Sequence, residues 1–383
     1  MKILFVISTP IEYSSSANMR NVALINGLIQ NGHQVDLVSD GYDTSSKYVD
    51  KSICKINFSK RYYLRKISTT NKSNVSSNNS IKEKIFKLIS KLSIYDNRKV
   101  LIRKAKKIKL TCDYDIMISS SDPKSSHLLA KVIKKYNNNL IDRWFQYWGD
   151  PFAEDINKST IIPMKYIKKA EKKILSLADK IIYVSPFTLS NQKSVYPMLS
   201  SRMYFLPVPY LKKIIYKENK QNEVILGYFG DYLSKDRNII PLYKSMEKLT
   251  NLQLIIYGNS DVNIKETNNV IIKKRQSSEI IKMVQEKCSI LICICNKKGT
   301  QIPGKIYHYA ATNKPILIIL DGENSKEIEN YLKKFNRYEF CLNNEKSIIL
   351  AIKKLMKKGY NNYCPSDDLG CDKIAASFID EMK

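Results

Sequence analysis

The chain has 383 residues and a formal net charge of +28, from 64 Lys and Arg against 36 Asp and Glu. This length exceeds what one compact core usually holds, so we expect two domains. No apolar run reaches the length of a membrane span, and the eight scattered Cys and three His argue against a disulfide framework or a zinc site.

The first half of the chain alternates predicted strands and helices. Residues 2–7 form a strand, residues 14–31 a helix that stops at an Asn-Gly pair, and residues 34–38 the next strand. Strand, helix and strand at this spacing indicate a parallel sheet. Because the N-terminal apolar run is too short for a signal peptide, we expect a cytosolic protein. Further strands are predicted at 115–119, from 140, at 180–184 and at 204–209.

The positive charge is concentrated between residues 51 and 110, where 18 Lys and Arg stand against two acids, Glu83 and Asp96. A net charge of +16 in one region favours phosphate-bearing partners such as nucleic acid, anionic lipid or a nucleotide. Within it, residues 68–80 are predicted to be a polar loop and residues 81–95 an amphipathic helix. That helix fits either packing on the domain surface or lying on an anionic membrane.

A polar, Lys-rich stretch at residues 211–223 marks the predicted domain boundary. We therefore assign residues 1–210, with the basic insertion at about 51–110, to the first domain and residues 211–383 to the second. The last predicted helix, at 373–382, is a candidate to return to the first domain. The second domain has predicted strands at 224–229, 252–257, 290–295 and 315–320, and predicted helices at 240–249, 279–286, 325–335 and 346–357.

The loop, helix and strand at residues 301–321 form the most informative segment. Its loop carries Pro303, Gly304 and Lys305 directly before a short helix. Glycine lets the backbone approach a ligand, the first N–H groups of a helix attract anions, and lysine adds a full positive charge. The segment therefore predicts a phosphate site at the mouth of a parallel sheet.

Three side chains of the first domain could handle a proton. Asp122 lies just beyond a predicted strand end, where α/β proteins place their sites, and His127 follows one turn into the next helix. Asp142 is the third candidate, although it could simply pair with Arg143. His127 fits the role of an ordinary helix residue equally well, and the sequence does not choose among the three.

The chain resembles the retaining family 4 glycosyltransferases of the GT-B fold over nearly its whole length. The similar residues are Asn31-Gly32-His33-Gln34-Val35, Ala178-Asp179-Lys180-Ile181-Ile182 with Val184-Ser185, and Pro303-Gly304-Lys305 through Lys314-Pro315. The resemblance implies an α/β fold with two Rossmann-like domains that face a central cleft. It also implies that the N-terminal domain binds the acceptor and that the C-terminal domain binds a nucleotide-diphosphate sugar.

In that family, cations of the C-terminal domain hold the departing diphosphate. The corresponding residues here are Lys235, Arg237 and Lys305, close to Gly230, Pro303 and Gly304. Lys235 and Arg237 could instead be solvated surface charges. Two glutamates of the family that contact the sugar and the ribose are replaced by Thr300 and His308. His308 could still hydrogen-bond a ribose hydroxyl.

The family's glycine-rich acceptor loop is replaced here by a segment of small polar residues. The candidates in it are Ser15, Ser16, Asn18 and Arg20. Trp144, Phe145, Tyr147 and Trp148 form an aromatic cluster for which core packing is favoured over stacking on a sugar. Residues 113–115 superficially match a metal-binding DxD, but they precede their strand instead of ending it, so we expect no metal.

These features together predict a glycosyltransferase that uses a nucleotide-diphosphate sugar as substrate and needs no resident cofactor. The expected acceptor is a hydroxyl of a glycan, lipid-linked by resemblance, in bacterial surface polysaccharide synthesis. The basic region would hold the enzyme on the anionic inner face of the cell membrane. The alternatives are a catalytically inactive GT-B scaffold, because both glutamates are absent, and a basic nucleic-acid-binding protein, for which no recognised motif is found.

Overall fold

A computed structural model describes residues 1–46, 48–50, 53, 56–66, 91–156, 160–217, 223–359 and 363–381. The predicted loop at 68–80 and residues 81–90 of the predicted basic helix lie outside these ranges. The chain divides into two compact units. The first unit is Met1–Pro207 with Ile374–Lys383, and the second unit is Val208–Lys373.

The first unit is built on a parallel sheet with seven strands in the described residues, in the order β3-β2-β1-β4-β5-β6-β7. Its strands are β1 Lys2–Val6, β2 Gln34–Ser39, β3 Lys60–Tyr63, β4 Tyr114–Ser120, β5 Ile141–Trp148, β6 Lys180–Tyr183 and β7 Met203–Phe205. The strand order reverses between β1 and β4. Such a switch point, at the carboxyl ends of the strands, is where open α/β sheets bind ligands.

Helices connect the strands of the first unit, as the alternating pattern predicts. They are α1 Ser16–Gln30, α2 Ile102–Ala105, α3 Ser125–Tyr136, α4 Met164–Leu175 and α5 Pro186–Val195. The α1 helix begins where the Ser15 hydroxyl accepts a hydrogen bond from the Asn18 backbone N–H at 3.1 Å. It ends at Asn31, before Gly32 takes the left-handed backbone φ of +81° that glycine tolerates.

The second unit repeats this architecture with a parallel sheet ordered β10-β9-β8-β11-β12-β13. Its strands are β8 Val224–Phe229, β9 Leu252–Tyr257, β10 Val270–Lys273, β11 Ile290–Ile294, β12 Ile316–Leu320 and β13 Glu339–Leu342. The order reverses between β8 and β11, so the second switch point lies there. Both β11 and β12 are buried along their whole length, which explains their unbroken apolar sequences.

The helices of the second unit largely alternate with its strands, as predicted, and the longest of those described has 14 residues. They are α6 Ile240–Ser245, α7 Ser278–Lys287, α8 Lys305–Tyr309, α9 Ser325–Lys333, α10 Glu345–Lys358 and α11 Cys371–Asp380. From Ile374 onward α11 belongs to the first unit, where the Phe378 and Tyr147 rings meet edge to face with 6.3 Å between ring centroids. Within the described residues, no helix combines the length and apolar character needed to cross a membrane.

Candidate active site

The switch point of the first unit is organised by Arg20, a residue that is only 6% exposed. Its Nη2 donates to the carbonyl oxygen of Ser121, and its guanidinium lies 5.0 Å from the centre of the Tyr147 ring. Gly149 makes this arrangement possible, because a Cβ on Gly149 would overlap the Arg20 guanidinium. A glycine is therefore required where β5 ends beside α1.

The other predicted acceptor residues differ in whether their side chains already form hydrogen bonds within the protein. The Asn18 amide donates to the carbonyl oxygens of Pro10 and Tyr13, both at 2.8 Å, and the Ser15 hydroxyl caps α1. These two side chains shape the loop after β1. Ser16 is exposed at the first position of α1, so its hydroxyl remains accessible from that loop.

Lys124 holds two carboxylates just beyond the end of β4. Its Nζ lies 2.8 Å from Asp122 Oδ1 and 2.5 Å from Asp155 Oδ2, and the residue is 9% exposed. Burial opposes the charge on Lys124, but attraction to Asp122 and Asp155 outweighs it and raises the lysine pKa. Burial likewise opposes the charge on Asp122, and Lys124 with Arg20 lowers the pKa of Asp122. Asp122 is thus ionised at neutral pH.

Asp150 joins this group, and sequence reasoning missed it. It follows β5 by two residues and is buried close enough to the Asp122 carboxylate for that charge to act on it. Burial, together with the negative charges of Asp122 and Asp155, raises the pKa of Asp150. The Gly149-Asp150 pair directly after a buried strand was the available signal, because the carboxyl ends of neighbouring parallel strands share one edge.

His127 lies behind this group and not within it. The residue is fully buried, its Nδ1 is 2.7 Å from the Ser119 hydroxyl, and its ring lies 4.0 Å from the Trp148 ring centroid. Burial lowers the pKa of His127 to about 3, so the ring is neutral at pH 7. Its Nε2 is sealed from solvent without a hydrogen-bond partner in the described chain. These contacts suit a buried residue that holds the neighbouring side chains of the switch point in position.

Asp142 lies at the opposite edge of the sheet from Asp122. It is the second residue of β5, and therefore lies at the amino end of that strand. Its side chain is 75% exposed and stands 3.7 Å from Arg143 Nε. The structure thus brings Asp122 and Arg20 together but leaves Asp142 outside their group. The neighbouring aromatic cluster is buried, as its predicted packing role requires.

The switch point of the second unit contains Lys305, the first residue of α8. A Cβ built on Gly230, directly after β8, would lie 3.3 Å from Lys305 Cε, so the lysine stem packs across the glycine. Burial, with Arg275 and Arg237 nearby, lowers the pKa of Lys305 to about 8. Burial disfavours the charged ammonium group, and a bound anion would offset that cost. Lys305 in this setting can therefore hold an anion.

Two arginines complete what we call the basic cluster: Lys305, Arg237 and Arg275. Arg237 Nη1 donates to the Asp231 carbonyl oxygen at 2.9 Å, and Arg275 Nη1 lies 3.7 Å from the Asp231 carboxylate. Arg275 was not predicted, although it follows the carboxyl end of β10 and so reaches the same sheet edge. Lys235 is exposed on the loop after β8, 4.0 Å from the Asp236 carboxylate.

The loop before α8 carries the remaining predicted donor residues. Gly299 adopts a left-handed φ of +85°, which turns the chain into Thr300. Pro303 and Gly304 then start the helix, since their carbonyl oxygens accept hydrogen bonds from the backbone N–H groups of Ile306 and His308. Thr300 and His308 are both partly exposed, so the structure keeps both positions accessible at this end of the unit.

Comparison with known proteins supports the fold. No protein-family model and no curated protein matches the sequence. Among solved structures, the chain is similar to TarM with a TM-score of 0.59 and 10% identity, covering 98% of this chain and 94% of that one. A Staphylococcus aureus TarM variant in complex with fondaparinux, α-GlcNAc-glycerol and UDP gives a TM-score of 0.58, 11% identity and coverage of 100% and 96%.

A third similar structure contains accessory secretory proteins 1, 2 and 3 of Streptococcus pneumoniae, with a TM-score of 0.54, 8% identity and coverage of 100% and 96%. Similarity at these identities concerns the fold. With the two parallel sheets described above, it confirms the predicted two-domain, Rossmann-like GT-B fold.

Proposed function

We propose that the protein is a glycosyltransferase that moves a sugar from a nucleotide-diphosphate sugar to a hydroxyl group of a glycan. The observation that carries this proposal is the packing of Lys305 across Gly230 at the switch point of the second unit. The lysine is held there among Arg237 and Arg275, and the fold is one on which nucleotide-sugar chemistry is found. The TarM variant that shares this fold was solved with UDP and α-GlcNAc-glycerol.

The basic cluster supplies what the departing diphosphate needs. As the bond between the sugar and the diphosphate breaks, negative charge grows on the phosphate oxygens. Lys305, Arg237 and Arg275 place positive charge at the sheet edge before that charge develops, so little reorganisation is required. Gly230 leaves room for the Lys305 stem, and Gly304 would allow the phosphates to approach the backbone. Thr300 and His308 would contact the ribose or the sugar.

Asp122 is the residue we propose to orient or deprotonate the acceptor hydroxyl. Its carboxylate is ionised, one of its oxygens is held by Lys124, and its side chain is 35% exposed, so a second oxygen can meet a ligand. Arg20 and Ser16 would contact the acceptor from α1. His127 supports this arrangement through the Trp148 ring.

The finer features of the proposal come from the family resemblance. We propose transfer of a hexose or related sugar with retention of configuration, to a lipid-linked acceptor in bacterial surface polysaccharide synthesis. No metal or other cofactor is required in this scheme. The enzyme would work at the cytoplasmic face of the cell membrane, where its basic region meets anionic lipid and not nucleic acid.

A thermal-shift screen with UDP-, GDP-, ADP-, CMP- and dTDP-sugars tests the proposal. Selective stabilisation of the wild type by one nucleotide, lost in Lys305→Ala, would support the donor site and name its base. Lys353→Ala is the matched control, because Lys353 is exposed on α10 and should leave the shift unchanged. If no nucleotide sugar stabilises the wild type, the transferase proposal fails.

A nucleotide-binding scaffold without turnover is the second candidate. It is favoured by one observation, that Thr300 and His308 occupy positions where the resembling family has glutamates. Such a scaffold would show the same thermal shift but would release no nucleoside diphosphate from the sugar that stabilises it. A nucleic-acid binder would instead bind DNA or RNA with an affinity that falls steeply with salt, and would ignore nucleotide sugars.

A further inference from the structure

A groove of about 510 Å³ opens beside the edge strand of the first unit, away from the groups assigned above. We call it the basic groove. One wall follows β3 and contributes Leu64, Arg65 and Lys66, and the other wall runs from α2 into the next turn with Lys104, Lys107 and Ile108. Its walls thus come from segments about forty residues apart in the chain.

The floor of the groove is fixed by ordinary fold contacts. Leu64 is 5% exposed, and its backbone N–H donates to the Ser39 carbonyl oxygen at 2.9 Å. Ile108 is 8% exposed, and its N–H donates to the Ala105 carbonyl oxygen at 3.2 Å. The groove therefore keeps its apolar floor whether or not a ligand is present.

The cations of the groove are not equally available. Arg65 is already paired, since it donates to both oxygens of the buried Asp40 carboxylate, which also accepts from Arg98 at 2.8 Å. Lys66, Lys104 and Lys107 have no carboxylate partner in the described part of the chain, and none of the described residues that line the groove is acidic. Three like charges facing one cavity repel each other unless an anion lies between them.

The position of the groove relates it to the proposed acceptor site. It lies at the carboxyl end of β3, and Asp122 follows the carboxyl end of β4 on the same sheet edge. In the order β3-β2-β1-β4, three strand spacings separate the two ends, which is roughly 14 Å. A group bound in the groove would therefore lie beyond the reacting sugar of an extended acceptor.

We propose that the basic groove binds a phosphate ester carried by the acceptor, with the phosphate among Lys66, Lys104 and Lys107 and its carbon chain on the apolar floor. This inference rests on the proposed function for the identity of the ligand as acceptor. The phosphate could belong to a lipid head group or to a soluble phosphate-bearing glycan. Three flexible ammonium groups suit either, because each pairs with phosphate oxygens as a point charge.

The test compares two variants of equal charge in the full chain. The groove variant is Lys66→Gln, Lys104→Gln, Lys107→Gln. The control is Lys169→Gln, Lys172→Gln, Lys173→Gln, three exposed lysines of α4. Both are made in a Lys305→Ala background to silence the anion site of the second unit. Titration calorimetry with inorganic pyrophosphate at low ionic strength measures binding, and thermal melts check folding.

We expect the groove variant to lose at least about tenfold in pyrophosphate affinity, with the control within about twofold of the parent. Loss in both variants alike, or in neither, would overturn the proposal.

Flotation with phosphatidylcholine vesicles, with and without phosphatidylglycerol, then shows whether the phosphate belongs to a lipid or to a soluble molecule. A groove variant that no longer binds the anionic vesicles indicates a lipid head group, and retained vesicle binding indicates a soluble phosphate. The donor site is tested separately, by nucleotide binding to protein that keeps Lys305. A negative result for the groove therefore does not count against the donor site.

Discussion

Lys305 lies against Gly230 so closely that a Cβ on the glycine would stand 3.3 Å from Lys305 Cε. Two switch-point elements of the second unit, the end of β8 and the start of α8, meet through this contact. Because the lysine stem is flexible, a methyl group at position 230 can be accommodated by a shift of a few tenths of an ångström, but the ammonium group then moves as well.

We therefore predict that Gly230→Ala weakens nucleoside diphosphate binding by about three- to tenfold while leaving the folded state largely intact. A displacement of this size changes the geometry of a charged hydrogen bond more than it changes packing. Titration calorimetry and a thermal melt measure the two quantities. A variant with unchanged affinity, or one that loses folding and binding together, would contradict this view of the contact.

The Lys305 pKa gives a pH prediction. Its folded-state pKa of about 8 is lower than that of an unfolded lysine, so the folded protein binds fewer protons between pH 8 and the unfolded pKa. Stability therefore rises with pH in that window. Binding of a diphosphate has the opposite trend, because it needs the charged ammonium, and should weaken as the pH rises above about 8.

Calorimetric affinities between pH 7 and 9 measure this effect. Lys305→Met should bind weakly with little pH dependence, and Lys353→Met should keep the wild-type profile. A wild-type affinity that stays constant through pH 9 while Lys305→Met still binds weakly would show that the lysine acts by packing and not by charge.

The contact between Gly149 and Arg20 predicts coupled substitutions. Gly149→Ala should destabilise the protein by about 1–3 kcal/mol, because the new methyl group overlaps the buried guanidinium. In the double variant Gly149→Ala, Arg20→Ala, this part of the cost should disappear. Urea unfolding of the two single variants and the double variant measures the coupling. Strictly additive losses would mean that the glycine matters for another reason.

Lys124 is predicted to hold the carboxylates of the first switch point in place. Lys124→Met should cost about 3 kcal/mol at pH 7, because it leaves Asp122 and Asp155 without their shared cation. The lowered pKa of Asp122 means that its contribution is present at neutral pH and is lost as pH falls through the folded pKa. The difference between wild type and variant should thus hold from pH 7 down to the ordinary Asp pKa of 3.8 and shrink only below it. Urea unfolding at several pH values checks this, and a difference that stays constant below pH 3.8 would contradict it.

His127 is predicted to act on stability and not on chemistry. With a folded pKa of about 3, it binds fewer protons than the unfolded chain between pH 3 and 6.5, so wild-type stability falls with acid in that window. His127→Asn should remove about 1.4 kcal/mol per pH unit of that slope. If the variant instead keeps this stability slope but removes the acidic limb of the pH–activity profile, His127 acts in catalysis.

Much of the architecture could be predicted because buried parallel strands leave an unbroken apolar signature. The runs at β1, β8, β11 and β12 are of this kind, and their boundaries follow the sequence within one or two residues. The edge strands β3, β10 and β13 were not predicted. They are four residues long and only partly buried, so neither burial nor alternation marks them in the sequence.

The candidate site was predictable only in part, because a site gathers residues by strand order. Lys305 stood out through its Pro-Gly context, and Asp122 through its place after a strand. Asp150 had a signal in the sequence, its place after β5, but its grouping with Asp122 and the placing of Arg275 required the strand order, which puts β5 beside β4 and β10 beside β9. The prediction grouped Asp142 with the site, but β5 runs from Ile141 to Trp148. Asp142 therefore lies at the amino end of that strand, away from Asp122.

The most direct test of the donor site compares a nucleoside diphosphate with its monophosphate, using the base chosen by the thermal-shift screen. If Lys305 and its basic cluster hold the second phosphate, calorimetry should show at least about tenfold tighter binding of the diphosphate in the wild type and nearly equal binding in Lys305→Ala. Equal affinities in the wild type, or an unchanged preference in Lys305→Ala, would contradict the central claim that this sheet edge binds the diphosphate.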